Sequence, residues 1–375
     1  MIHSNGPMVP SGYGKQTALL IRQFQSLGHE VAVSAFHGVT GAIVDWHGTP
    51  IYPAGQAAFG IDVMTGHAQH FGADLLLTLM DVWKLAPVVE QLEQWRKTHG
   101  ELACWIPVDC TPMGTTDRQV LARTGAVPIA MSRFGAVQLE RAGFTPYYVP
   151  HSVDTEVFRP NLPGRAQLRA ELGAEHDFVV GICAANRDAM RKAWPEQLHA
   201  FSLYHRHHPR SQLWIHTVPN GPNGLPLREL AQDMGIGHAT RFTDEYPQLG
   251  GHFDDEDLAL WYNAIDQLSN CSYAEGFGLP IIEAQACGTP AAATDASAMT
   301  ELAHWLVSGD PFWNPVHRAW WCRPYVEEIS KAYGYRVDDN GRTAESLAAK
   351  AARYGVDKVT EAHWRPVLEA LGAAQ

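Results

Sequence analysis

Two glutamates, Glu275 and Glu283, bracket the segment AEGFGLPIIEAQACGTP (274–290). Between them Gly276, Gly278 and Pro280 interrupt the chain, and Ile281 and Ile282 resume an apolar run. QLSNCSYA before it reads as a strand and GLPIIEAQACG as a helix, so the segment is a strand-to-helix junction. Pro280 suits a first helical turn, where its missing N–H costs nothing. Gly276 and Gly278 let the backbone approach a ligand, and free amides at a helix start favour an anion such as a diphosphate. Glu283, one turn into the helix, can accept hydrogen bonds from ligand hydroxyls. Glu275, in the loop, can do the same for a second polyhydroxyl group. A glycine turn with two solvated glutamates has the same bare spacing.

A second candidate is the basic stretch NRDAMRKAWPEQLHAF, which follows the apolar run FVVGICAA (178–185) and contains Asn186, Arg187, Arg191 and Lys192. A third is SGYGKQT (11–17), with Gly12 and Gly14 as close-approach points. It is not a Walker A loop, because Gln16 follows Lys15 where Ser or Thr is required; it is not G-x-G-x-x-G, because Thr17 takes the last place. Asp109 ends CWIPVD and either faces a ligand at the carboxyl end of that strand or caps the following CTPMGTTD. Asp81, Trp83 and Ser132 also follow strand ends. The histidines of YHRHHPR (204–210) lack metal-ligand spacing within their own helix and read as a solvated helix end. Trp305, Trp313, Trp320 and Trp321 read as packing residues more than sugar platforms. Asp255, Glu256 and Asp257 sit at a helix start as capping charge. No metal site is expected.

The elements that must position these residues alternate. VAVSAF (31–36), DLLLTLM (74–80), LACWIPV (102–108), VPIAM (127–131) and PYYVP (146–150) read as strands. KQTALLIRQFQSL, PVVEQLEQWRKTH and RFGAVQLERAG read as helices between them. The rhythm restarts with FVVGICAA, PEQLHAFSLYHR, SQLWIHTV and LRELAQDMG, and continues to the glutamate segment. This βαβα order predicts parallel sheets covered by helices on both faces. PHSVDTEVFRPNLPG (150–164), rich in Pro and polar residues, divides the halves as a linker. The first strand is short; either a stub suffices there or the chain starts a few residues upstream.

The 375 residues are 46% hydrophobic, with 33 Gly and 24 Pro, enough for two domains with separate cores. Net charge is -12 with His neutral, so no global field favours nucleic acid or anionic lipid. The six cysteines are scattered without a CxxC pair, as in a reduced cytoplasmic protein, and no apolar run reaches the length of a membrane span.

E-G-F-G-L-P-x-x-E-A-x-A-x-G-x-P resembles the signature of retaining GT-B glycosyltransferases of family 4. The resemblance implies two Rossmann-like doubly wound domains facing across a cleft, with a C-terminal helix packing back on the first. It implies an acceptor-side domain at 1–150, a linker at 151–164, a nucleotide-sugar domain at 165–342 and a helical segment at 343–375. Glu275 then contacts the donor sugar and Glu283 the ribose, with Gly276, Phe277, Gly278 and Leu279 lining the site. The stretch after FVVGICAA resembles the family's arginine-and-lysine segment, which makes Arg187 and Lys192 a diphosphate clamp beside Asn186, with Arg191 an alternative to either. Gly12 and Gly14 correspond to the family's loop near the donor phosphates, and Asp109 stands where relatives often carry a histidine. VPHSVDTEVFRP resembles the family's V-P-N-G-V-D-x-x-x-F-x-P linker, with His151 and Ser152 departing from it.

The implied activity is retaining transfer from a nucleotide sugar, such as a UDP- or GDP-sugar, to a hydroxyl acceptor, with no metal and no further cofactor. Front-face attack, the leaving phosphate taking the acceptor proton, would give retention. A protein or modified-DNA acceptor, a GT-B epimerase and a non-transferring sugar-nucleotide binder are the alternatives.

Overall fold

The structure, a computed structural model, describes residues 1–221, 223–250, 252–334 and 344–372. The chain divides into two compact units. One holds Met1–Ser152, Val316–Ala319 and the chain from Val356 onward; the other holds Val153–Pro315 and Trp320–Gly355. The position 342/343, where the sequence suggests a boundary, lies outside the described residues.

In the first unit eight strands form one sheet: β1 (Ile2–Asn5), β2 (Val33–His37), β3 (Val44–Trp46), β4 (Thr49–Tyr52), β5 (Leu75–Leu79), β6 (Glu101–Ile106), β7 (Val127–Ala130) and β8 (Tyr147–Tyr148). Their spatial order is β3-β4-β2-β1-β5-β6-β7-β8, parallel except for the antiparallel edge strand β3. The helices α1 (Gly12–Ser26), α2 (Met64–Phe71), α3 (Val89–Thr98), α4 (Thr115–Thr124) and α5 (Arg133–Arg141) connect them. The β3–β4 hairpin, α2 and α4 go beyond the elements read from sequence. Val44–Trp46 has no buried residue, so its side chains carry no core signal.

The second unit opens with α6 (Arg165–Glu171). Its sheet comprises β9 (Phe178–Cys183), β10 (Ser211–His216), β11 (Thr240–Phe242), β12 (Gln267–Asn270), β13 (Ala291–Thr294) and β14 (Trp305–Val307). All pairings are parallel and the order is β11-β10-β9-β12-β13-β14. This is the doubly wound order that reverses between its first and fourth strands. Its helices include α7 (Trp194–His207), α8 (Leu227–Asp233), α9 (Glu245–Gly250), α10 (Asp255–Ala264) and α11 (Leu279–Ala286). β9 and β12 are central, so FVVGI and QLSN are both buried; FVVGI reads as a continuous apolar run, while QLSN buries polar side chains. The acidic run before DLALWYNAID is a helix start, as its charge pattern suggests: Asp254 is the N-cap and shares a reciprocal capping box with Asp257. A two-stranded hairpin, Gly309–Asn314 with Ala319–Pro324, follows the sheet.

The chain end completes the core of the first unit. Trp364 is fully buried, its ring edge-on to Phe24 of α1 and to Trp105 of β6, both at 5.0 Å between centroids. The Trp105 indole N–H donates to the Val149 carbonyl at 2.8 Å. The linker departures are accounted for here. The Gln16 side chain accepts from the Ser152 N–H at 3.0 Å and donates to the Ser152 carbonyl at 2.8 Å, while Gln23 donates to the Ser152 hydroxyl at 3.0 Å. His151 lies 3.1 Å from the same Gln16 oxygen. A serine with a usable hydroxyl, in place of glycine, lets α1 grip this segment at two side chains. Among the described residues no helix is long and apolar enough to cross a membrane.

Trp364→Ala should cost roughly 3–5 kcal/mol in denaturant unfolding, the usual penalty for emptying a buried aromatic site. An unchanged unfolding midpoint would mean that the terminal helix contributes nothing to this core.

Candidate functional site

Because the second sheet reverses between β9 and β12, the loops leaving the carboxyl ends of these two strands lie side by side. The β9 loop carries Asn186, Arg187, Arg191 and Lys192. The β12 loop carries Glu275 and runs into α11. They are pinned together by the Tyr273 N–H, which donates to the Arg191 carbonyl at 2.8 Å, and by Arg191 Nη1, which donates to the Ala274 carbonyl at 3.3 Å.

Glu275 is the centre of this junction. It is 7% exposed, with Lys192 Nζ 2.5 Å from Oε1 and Arg191 Nη1 2.9 Å from Oε2. The Ser272 hydroxyl donates to Oε1 at 2.6 Å, and the Glu275 N–H donates to the Ser297 hydroxyl at 2.9 Å. Burial by itself would raise the carboxyl. The charges of Lys192 and Arg191, then the hydrogen bonds from Lys192 and Ser272, overcome it and hold the group at about 2. Burial and the neighbouring Arg191 charge pull the Lys192 ammonium below its ordinary value, with Glu275 opposing them. The geometry favours the ionised carboxylate, since three donors converge on its two oxygens.

The backbone around the junction is held in conformations that side chains resist. Ala193, which precedes α7, has φ 48, and Ser297, the partner of the Glu275 amide, has φ 50. A left-handed non-glycine residue costs of order 1–3 kcal/mol and persists where its surroundings over-determine it. Asp188 shapes the approach to Ala193 by accepting the N–H groups of Met190 at 2.9 Å and Arg191 at 2.6 Å.

α11 begins at Gly278, whose φ of 110 needs glycine, and Pro280 occupies its first turn. Glu283, 5% exposed, accepts from the Tyr262 hydroxyl at 2.9 Å, which orients its carboxylate from the neighbouring α10. Burial first, then the nearby Cys183 and Glu283, keep the Tyr262 phenol protonated, so it serves as a donor.

The expected site residues of the second unit divide into three groups. Lys192, Glu275, Gly276, Gly278, Leu279 and Glu283 sit on the two loops and the helix start. Arg187 is exposed on the same β9 loop, and its neighbour Arg191 is the arginine paired with Glu275. Asn186 and Phe277 are engaged within the unit itself. Asn186 Nδ2 donates to the carbonyls of Pro219 at 3.1 Å and Leu225 at 2.8 Å, while its Oδ1 accepts from the Leu225 N–H at 2.9 Å, clipping the loop after β10. Phe277 is 3% exposed with its ring edge-on to Tyr354 at 5.7 Å.

Gly12, Gly14 and Asp109 belong to the first unit. Gly12 is exposed at the start of α1. Gly14 is buried where a Cβ would come 2.1 Å from the Val9 carbonyl oxygen; Ser11 caps the helix by accepting its N–H at 3.1 Å. Asp109 is half-buried after β6. Beside it Asp117 is pushed up to about 6, by burial first, with Asp81 and Asp109 adding to the shift against the hydrogen bond from the Trp83 N–H.

Sequence reasoning missed Tyr262, Ser272, Ser297 and Asp117. Ser272 stands three residues before Glu275 and carries a local signal. Ser297 and Tyr262 come from other elements and carry none.

Residues 178–311 match the family described as Glycosyl transferases group 1. The D-inositol 3-phosphate glycosyltransferase of Frankia alni is 37% identical over 169 residues, 43% of this chain and 39% of the relative. That of Streptomyces bingchenggensis is 35% identical over 222 residues, 56% of this chain and 44% of the relative. The matches thus span less than half the length of these curated relatives. Sucrose-phosphate synthase from Thermosynechococcus elongatus superposes with TM-score 0.75 at 17% identity, covering 100% of this chain and 99% of that one. Anabaena HepE in complex with UDP-glucose superposes with TM-score 0.72 at 17% identity, covering 98% of each. The whole chain therefore has the GT-B glycosyltransferase fold.

Glu275→Gln tests the buried pair. A carboxyl depressed from 4.5 to about 2 adds stability above pH ~4.5, and this contribution disappears as pH falls through about 2. At pH 7 the variant should be less stable by roughly 3–5 kcal/mol, the cost of stripping one partner from a buried pair. In pH-resolved thermal unfolding the gap should close toward pH 2. A gap that does not vary with pH would remove the ion pair as its source.

Proposed function

We propose, from the match of residues 178–311 to the glycosyl transferases group 1 family and the GT-B fold of the chain, that this protein is a nucleotide-sugar-dependent, retaining glycosyltransferase. One observation carries the reading furthest. At the switch point of the second sheet, two cations and a buried carboxylate stand beside a glycine-opened helix that bears a second buried carboxylate.

In the proposed reaction the donor diphosphate lies against the start of α11 and the β9 loop. Arg187, exposed on that loop, and Lys192 clamp the phosphates. Arg191 remains the counter-ion that keeps Glu275 charged and in place. Glu283, oriented by Tyr262, accepts from the ribose hydroxyls, and Glu275 accepts from the donor sugar. As the glycosidic bond lengthens, negative charge builds on the leaving diphosphate. Cations and amides already aimed at it stabilise that charge without reorganising. The acceptor hydroxyl attacks from the face the diphosphate leaves, giving its proton to the departing phosphate oxygen, and configuration is retained. The charge on the diphosphate is carried in this reading by side chains and helix amides.

A UDP-sugar is the first donor to test, since Anabaena HepE, of the same fold, is described in complex with UDP-glucose. The names of the curated relatives make inositol phosphates the first acceptors to assay.

Arg187→Ala should lower turnover roughly 10²–10³-fold, the usual cost of losing one group that stabilises developing charge. Because Arg187 is exposed, its melting temperature should match that of the wild type. Full turnover in this variant would exclude Arg187 from the clamp.

A thermal-shift screen against UDP-, GDP-, ADP- and TDP-sugars should single out one base. A ligand at a hundred times its Kd adds about 2.7 kcal/mol of stability. No stabilisation by any of the four would count against a nucleotide-sugar donor.

A further inference from the structure

The histidine run at the end of α7 has a partner from elsewhere in the fold. His205 lies near the carboxyl end of α7, and His238 lies in the short turn Gly237–Ala239 that leads into β11. Their Nε2 atoms face each other at 3.3 Å, and the ring centroids are 5.3 Å apart at 61°.

The protonation of His205 follows from its neighbours. The Ser211 hydroxyl donates its one hydrogen to the His208 carbonyl at 2.7 Å. His205 Nδ1, 2.9 Å from the same hydroxyl oxygen, must therefore be the donor in that contact. Its Nε2 then carries a lone pair, pointed at His238. The ring is further fixed by stacking on Phe201, one turn earlier on α7, at 5.6 Å and 24°. A hydrogen-bonded Nδ1–H behind a ring whose Nε2 faces outward is the arrangement that histidine ligands to metals ordinarily have.

The spacing fits a shared ion better than a direct bond. A tetrahedral Zn²⁺ with Zn–N of about 2.0–2.1 Å sets two ligand nitrogens about 3.3 Å apart and their imidazole centroids about 5.3 Å apart. Two rings pointing straight at each other across 3.3 Å would have centroids about 5.6 Å apart, and a direct N–H···N bond would normally be shorter. His208 is otherwise engaged, stacked on Tyr204 at 4.2 Å with Nδ1 3.1 Å from the Tyr204 carbonyl.

We propose that His205 and His238 bind a borderline divalent transition ion, with Zn²⁺ the first choice and water completing its coordination. Imidazole nitrogens suit Zn²⁺, Cu²⁺ and Ni²⁺, whereas Mg²⁺ and Ca²⁺ require oxygen donors. The ion would fasten the carboxyl end of α7 to the turn before β11, at the opposite end of the helix from Lys192.

The test is a Zn²⁺ titration of the untagged full chain against a chromophoric chelator, paired with thermal unfolding, for wild type, His238→Ala and His205→Gln. His238 is exposed, so its alanine variant should fold and melt like wild type without metal. The expected result is one Zn²⁺ equivalent per wild-type chain, at least ten-fold weaker binding in both variants, and loss of the Zn²⁺-induced rise in melting temperature. Mg²⁺ at the same concentration should move none of them. Co²⁺ should give the intense visible bands of a tetrahedral site in wild type and lose them in His238→Ala. Equal Zn²⁺ affinity in wild type and His238→Ala, or an unaltered Zn²⁺-induced shift in that variant, would overturn the proposal.

Discussion

Burying a lone carboxylate costs several kcal/mol, and the second unit buries Glu275 nonetheless, in the loop that follows a central strand. It can do so because the neighbouring strand ends in a loop that delivers Lys192 and Arg191 to its two oxygens. Each side depends on the other. The cations are themselves drawn out of solvent, and without Glu275 the Lys192 ammonium would sit buried beside Arg191 with its chief counter-charge gone. The shape of the junction follows from this balance: the left-handed turns at Ala193 and Ser297, the Asp188 brace and the Tyr273–Arg191 backbone bond all serve to bring these groups to one place.

Much of this was legible from the sequence because it is written in short-range chemistry. The alternation of apolar runs and amphipathic stretches gives the doubly wound halves, and the glycines and proline of AEGFGLP mark the helix start. The signature glutamates and the basic stretch identify the loops. What stayed hidden depends on contacts between distant elements. The edge strand β3 lacks buried residues, so periodicity could not show it. Ser297 reaches Glu275 from the loop after β13, and Tyr262 reaches Glu283 from α10; nothing in either local sequence points there. Asn186 stands in the basic stretch, yet its amide is committed to the loop after β10. Arg191 and Arg187 look equivalent along the chain, and only the fold separates a paired guanidinium from an exposed one.

The histidines of α7 illustrate the same limit. Spacing along one helix says nothing about a ring supplied by a turn more than thirty residues later. The hydroxyl of Ser211, which fixes the tautomer of His205, is likewise visible only once β10 is laid beside α7.

The charges around Glu275 also explain how the proposed donor could be both held and read. The two loops carry Arg187, Arg191 and Lys192 against Asp188 and Glu275, an excess of one positive charge. In the proposed reaction an arriving diphosphate would compete with Glu275 for Lys192. The two carboxylate oxygens are not equivalent in that exchange. Oε2 is held by Arg191, while Oε1 is shared by Lys192 and Ser272. If Lys192 turns toward phosphate, Oε1 keeps Ser272 and gains room for one more donor, which a sugar hydroxyl can supply. The carboxylate then remains ionised and anchored through Arg191, and its release by Lys192 is coupled to the arrival of the phosphate. In the proposed reaction, phosphate capture and sugar recognition would then be two halves of a single exchange of partners at one buried acid.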